Sequence, residues 1–247
     1  MSEWKETYAE LLATKSIPFI AFDVETANNS SSSVCQIAIA CPIGGEIKAL
    51  SWRVRPPTSN FTNTDIHHIT WDDVKDCVGF SELWDKTILP LLNTTVFAAH
   101  NANFDMKAIY NSYAATANGK SLRHLNNITV RDSCILAKQY LPLLENHKLP
   151  TVCQSMGIAL NHHDALSDAL ACAQITNTLM QRYPEYQKYD MTFQSARDDF
   201  RYKKKFFAAN DFAKAARKKQ AENTSNILKL VVLLVSLAVI FATKAAS

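Results

Sequence analysis

Asp23 and Glu25 stand two residues apart, directly after the apolar run Phe19-Ile-Ala-Phe22. In a strand, that spacing points both carboxylates to one face. Two like charges so close repel unless a cation or a proton intervenes. An acidic pair at a strand end facing water is the ordinary alternative. A further acid, Asp105, closes the stretch Phe97-Ala-Ala-His-Asn-Ala-Asn-Phe-Asp105. Here an apolar strand runs into a helix start, the junction at which open α/β sheets place ligands. The plainer roles are Asn101 as helix cap and Asp105 as a solvated first-turn acid. The third stretch is His163-Asp-Ala-Leu-Ser-Asp168-Ala. Asp164 can cap a helix, and Asp168 lies a turn inside it beside Ala165, Ala169 and Ala171. An acid on such a small, apolar face is costly unless paired or metal-bound. His163 taken alone is an unremarkable surface or core histidine. Together, four hard oxygen donors suit Mg²⁺ or Mn²⁺. Two such ions about 4 Å apart serve phosphodiester hydrolysis, with a histidine titrating near neutral pH as general base.

The elements that must position these groups follow from periodicity and breakers. An amphipathic helix is expected over 3–14, ended by Pro18. Strands are expected over 17–24, 34–41 and 46–54, with Gly44-Gly45 as a hairpin turn. A helical region runs from Thr70 to about Leu92 with a break near Gly79, followed by a strand over 95–99. A helix from Asn101 to Ala117 stops at Gly119. A strand over 128–130 precedes helices over 133–140, 149–156 and 164–182. Three strands, then strands alternating with helices, indicate an α/β domain with a mixed sheet.

Asp23-Val-Glu-Thr-Ala, His100-Asn-Ala-Asn-Phe-Asp105 and His163-Asp-Ala-Leu-Ser-Asp168-Ala resemble the three motifs of the DEDDh exonuclease superfamily. More narrowly, the chain is similar to bacterial DnaQ-like 3′–5′ exonucleases, relatives of the polymerase III epsilon proofreading subunit. The resemblance covers about residues 15–182. It extends to Cys35-Gln-Ile-Ala-Ile, Ile66-His-His-Ile-Thr and Asn146-His-Lys-Leu-Pro. It implies a ribonuclease H-like fold with a five-stranded mixed sheet flanked by helices. It further implies Asp23, Glu25, Asp105 and Asp168 as ligands of two divalent cations, Mg²⁺ or Mn²⁺. His163 rather than His162 takes the general-base position, five residues before the final Asp. The backbone at Thr26 and Ala27, together with His100 and Asn101, is expected to meet the substrate. The implied reaction removes nucleoside 5′-monophosphates from 3′ ends of single-stranded nucleic acid, DNA favoured. A DNA polymerase or repair protein is the expected partner. Asn28-Asn-Ser-Ser-Ser-Ser33 departs from the Thr-Gly turn usual after the first motif. An Asp164 carboxylate close to His163 would raise the imidazole pKa. The rival activities are an RNA-directed 3′–5′ exoribonuclease of the same superfamily and a non-catalytic nucleic-acid-binding module.

The 247 residues carry a formal charge of +3, and that sum conceals an asymmetry. Residues 1–183 hold 14 Lys and Arg against 17 Asp and Glu; residues 184–247 hold 12 against 6. An acidic exonuclease domain over 1–183 thus joins a basic linker over 184–226, in which Phe200, Tyr202, Phe206, Phe207 and Phe212 interleave with cations. Such a segment suits phosphates and bases, or an anionic membrane surface. It can also pack its aromatics on the body. Residues 230–243 carry no charge and are bracketed by Lys229 and Lys244; with Ile227–Lys229 added, 227–243 are expected to form one C-terminal transmembrane helix holding a cytoplasmic catalytic domain. Six cysteines include no Cys-x-x-Cys pair, which excludes the common zinc frameworks, and the start lacks a secretory-signal pattern.

Overall fold

A computed structural model describes residues 3–92, 96–198 and 200–245, except the side chains of residues 3, 200, 201 and 232–245. Helix α1 (Glu3–Ala13) leads into strands β1 (Ile20–Thr26), β2 (Val34–Ile43) and β3 (Glu46–Arg53). Three short helices follow, α2 (Thr64–His67), α3 (Trp71–Val74) and α4 (Phe80–Leu83). Strand β4 (Val96–Ala99), helix α5 (Ala102–Thr116) and strand β5 (Thr129–Asp132) come next. Helices α6 (Ser133–Tyr140), α7 (Leu149–Met156) and α8 (Ala165–Arg182) precede strand β6 (Met191–Thr192). Helices α9 (Phe193–Arg197) and α10 (Phe200–Ala245) end the chain.

The sheet runs β3-β2-β1-β4-β5-β6. Strands β1, β4 and β5 are parallel neighbours, while β2, β3 and β6 run antiparallel to theirs. This is the expected mixed sheet with one strand more than the five expected. The sixth comes from the segment read as linker and pairs Thr192 and Met191 with Thr129 and Val130. No periodicity announces a two-residue strand. Helical structure between Thr70 and Leu92 breaks at Gly79 and again at Trp84, where a π turn (Trp84–Ile88) and a 3₁₀ turn (Leu89–Leu91) replace α-helix before and over Pro90.

The two faces of β1 are unlike. Ile20, Phe22 and Val24 enter a large core with Trp84, Phe97 and Met106. Phe19 and Ala21 face the other way, with Ala38, Ala40 and Ala98, against Ala165, Ala169, Cys172 and Ala173 of α8. Small residues on both sides let α8 approach the sheet closely.

The basic segment after Arg182 is part of this packing. Arg131 of β5 donates from Nε and Nη2 to Asp190 at 2.8 Å each, and both side chains are largely buried. Phe193 is fully buried and sets its ring edge-on to Phe97. The inner face of α10 buries Tyr202, Ala209 and Ala213, and Phe206 stacks on Tyr202. From Lys218 to Val231 every residue is exposed. The expected transmembrane segment lies mostly on 232–243, whose side chains are outside the described residues. Among the described residues no helix is long and apolar enough to cross a membrane. The described outer stretch of α10 carries Lys218, Lys219, Glu222 and Lys229.

Candidate active site

Alternation along β1 continues past the apolar run, so Asp23 and Glu25 emerge on the face covered by α8. Asp164 caps α8 by accepting from the Leu166 amide at 3.1 Å. One turn later, Asp168 is carried to the same place. Ligand oxygens of Asp23, Glu25 and Asp168 lie within 4.8 Å of one another. Asp105 arrives on the first turn of α5. It is 3% exposed, so it is not the solvated acid a first turn usually carries. It falls outside the 4.8 Å group, yet its charge is the strongest of the neighbouring charges acting on Asp23.

Burial and mutual repulsion hold protons on this cluster. Burial pushes Asp23 well above the carboxylate range, followed by the charges of Asp105, Asp168, Glu25 and Asp164. Burial, then Asp168 and Asp164, raises Glu25 to about 8. Asp105 is raised by burial and partly drawn down by the amides of Asp105 and Val24. Asp168 is raised by burial against the opposing pull of His162 and the His163 amide. Asp168 Oδ1 is buried without a hydrogen-bond partner. Among the described residues, none of the four carboxylates has a Lys or Arg within ion-pair distance. A buried, oxygen-only cluster with an orphaned lone pair is what hard divalent cations satisfy.

The two histidines divide their work unexpectedly. His162 Nδ1 is 2.9 Å from Asp168 Oδ2, and the His163 main-chain N–H donates to that same oxygen at 3.2 Å. The rings stack with centroids 3.8 Å apart. His163 has φ of 71°, a left-handed conformation uncommon outside glycine. Its pKa is lowered, first by burial and then by His162. The expected rise from Asp164 is therefore not found: that carboxylate is turned to the helix amide, and its field acts on Asp23 and Glu25 instead.

The other expected contact residues are placed as follows. Thr26 lines a cleft of about 410 Å³ beside the carboxylates, with Asn63, Ile66, His67, Phe104 and His163. The Thr26 carbonyl accepts from Asn63 Nδ2 and pairs with His67 Nε2 at 3.0 Å. Ala27 is fully buried, its carbonyl taken by the amides of Thr62 and Asn63. His100 also borders the cleft, but Ser133 Oγ and the His147 carbonyl engage both its ring nitrogens. Asn101 does not cap α5 with its side chain; it has φ of 71° and accepts from Tyr202 OH at 2.6 Å. Asp132 does the capping, accepting from the amides of Asn101 and Ala102 and also of Cys134 and Ile135 in α6. Sequence reasoning missed Asp132 and Asn63, and it set aside His162, which the structure places against Asp168. His67 sat in a stretch noted as similar to the superfamily, while Asn63 carried no signal.

Comparison with known proteins identifies the family and the fold. Residues 20–176 match the exonuclease family RNase_T. The DNA polymerase III PolC-type of Oceanobacillus iheyensis is 31% identical over 172 residues, 68% of this chain and 12% of the polymerase. That of Clostridium perfringens is 31% identical over 162 residues, 64% of this chain and 11% of the polymerase. The chain thus spans about an eighth of the length of these relatives. Among solved structures, exonuclease X in complex with 5′ overhanging duplex DNA has a TM-score of 0.54 at 20% identity, covering 67% of this chain and 93% of that one. The nuclease domain of 3′hExo, a DEDDh family member bound to rAMP, has a TM-score of 0.55 at 16% identity, covering 67% and 92%. These two share the fold. With three motifs folded into one carboxylate cluster and the matched segment spanning β1 to α8, the chain belongs to the RNase_T exonuclease family.

Proposed function

We propose that the protein is a 3′–5′ exonuclease that releases nucleoside 5′-monophosphates from single-stranded ends, DNA favoured. The observation that carries this reading is the approach of Asp23, Glu25 and Asp168 within 4.8 Å, backed by buried Asp105, in an exonuclease-family chain. Asp23, Glu25, Asp105 and Asp168 would hold two divalent cations, Mg²⁺ or Mn²⁺. Bound there, the cations would neutralise the attacked phosphate and lower the pKa of a water. His163, whose imidazole pKa is lowered first by burial and then by His162, would take that water's proton. The cleft at Thr26, closed by Asn63, His67 and Phe104, receives the terminal nucleotide. DNA is favoured because the PolC-type relatives are DNA polymerases and exonuclease X was captured with duplex DNA. A polymerase is the partner class those relatives suggest. The rAMP complex of 3′hExo favours the second reading, an exoribonuclease.

A 5′-labelled oligonucleotide with a free 3′ hydroxyl should shorten one nucleotide at a time, stop with EDTA, and persist with Asp23→Ala. Unchanged activity in Asp23→Ala refutes the assignment. Matched DNA and RNA ends distinguish the two substrates.

A further inference from the structure

A second cleft, about 530 Å³, opens on the other side of the carboxylates. It shares Asp23, His100, Asn101, His162 and Asp168 with the first, so the two meet over the reacting position. Their charge differs. The described lining of the first cleft contains no Lys or Arg. The second is lined at its far end by Lys138, Lys148 and Arg217 against one carboxylate, Glu145. Its outer wall is α10, through Phe206, Asn210 and Arg217, all beyond the 20–176 span of the family match.

Lys138 is the telling residue. It is 5% exposed, and its ammonium lies over the Phe206 ring. Among the described residues no carboxylate lies within ion-pair distance of it. Burial lowers its pKa. Asp132, beyond ion-pair distance, and Cys134 offset that burial only in part, and an anion entering the cleft would add a direct counter-charge. Arg217 Nη1 donates to the Leu144 carbonyl at 2.7 Å, which fixes the guanidinium at the rim and leaves its other donors for a further acceptor. Lys148 is exposed beside it. A strand whose scissile phosphate lies at the carboxylates can run from one cleft into the other, and its further phosphates match the one that carries cations.

We propose that this second cleft is a phosphate-backbone subsite for a single nucleic-acid strand, completed by α10 and holding the nucleotides beyond the one being removed. The inference rests on the nuclease reading for its direction. It makes the C-terminal helix a substrate-binding element of the enzyme.

The test is binding of a 20-nucleotide single strand to the full chain in EDTA, where nothing is hydrolysed, as a function of salt. Each lost phosphate contact should lower the log–log salt slope by about 0.7, a loss of about fivefold in affinity at 0.1 M salt. Lys148→Gln with Arg217→Gln should therefore flatten the slope by about 1.4 and weaken binding by about 25-fold. Lys75→Gln with Lys86→Gln removes the same charge elsewhere and should leave the slope unchanged. If the first pair fails to melt cooperatively, Asn210→Glu, which sets a carboxylate in the same wall, should weaken binding in its place. Equal slopes for the parent and the cleft variants overturn the proposal. An equal loss in binding of polyglutamate assigns the cleft to an acidic partner and also overturns it. Strand binding with the predicted slope change but no hydrolysis in Mn²⁺ overturns the nuclease reading alone.

Discussion

Proton competition at the carboxylate cluster should make cation binding steeply dependent on pH. Glu25 is held at about 8 by burial and by Asp168 and Asp164, against an ordinary value of 4.5. A cation needs the ionised carboxylate. For Glu25 alone the resulting penalty on affinity is about 100-fold at pH 6, about 11-fold at pH 7 and about 2-fold at pH 8. Affinity for Mn²⁺ should thus rise by about 50-fold from pH 6 to 8, with Asp23 and Asp105 steepening it. Titration calorimetry in buffers of different ionisation enthalpy counts the protons released; Glu25 should contribute about 0.9 at pH 7. The sign for folding runs the opposite way. Because the folded state holds the proton more tightly, the Glu25 contribution is complete below pH 4.5 and is lost as pH rises through about 8. The metal-free chain should therefore melt lower at pH 8 than at pH 5, and Mn²⁺ should restore more at the higher pH. Glu25→Gln should flatten both curves. A Mn²⁺ affinity that changes less than about threefold between pH 6 and 8, with no proton release, would refute this account of the cluster.

His163→Ala should lower kcat by about 100-fold or more, whereas His162→Ala should cost less than about tenfold; the reverse order, measured on one oligonucleotide, would make His162 the base. Asp190→Ala strands the buried Arg131 guanidinium and should destabilise by about 3 kcal/mol in urea unfolding, while a loss below about 1 kcal/mol would show that water already reaches the pair. Ala169→Leu overfills the face between α8 and β1 and should cost about 2 kcal/mol together with activity, because it lifts Asp168 from Asp23. We propose that residues 227–243 act as a membrane anchor: fractionation of the full chain against one ending at residue 226 should find only the former with membranes, and full solubility of both would overturn it.

The catalytic elements were legible because each carries a strong local pattern. Strand β1 alternates, α8 has small residues flanking its one inward acid, and Gly157 with φ of 68° stops α7 where it was expected. What stayed hidden depends on contacts distant in sequence. Asp132 reads as an ordinary cap for α6, yet it also closes α5 from thirty residues away. His162 and His163 are indistinguishable by type, and it is the His162 ring that reaches Asp168 in the fold. The aromatics after residue 200 were open between solvent, substrate and body until packing separated buried Tyr202 from exposed Phe207 and Phe212.

The two residues of β6 bear on where the molecule can be cut. They cover the outer edge of β5, and Phe193 plugs the core immediately beyond them. A fragment ending at Arg182, at the close of the family-like segment, would leave β5 with an open hydrogen-bonding edge above an uncovered Phe97. Exposed edges of that kind recruit other chains. An expression boundary drawn from family similarity would therefore yield a sticky, aggregating nuclease. One drawn after Ala213 keeps the edge closed and every residue buried among the described ones in place.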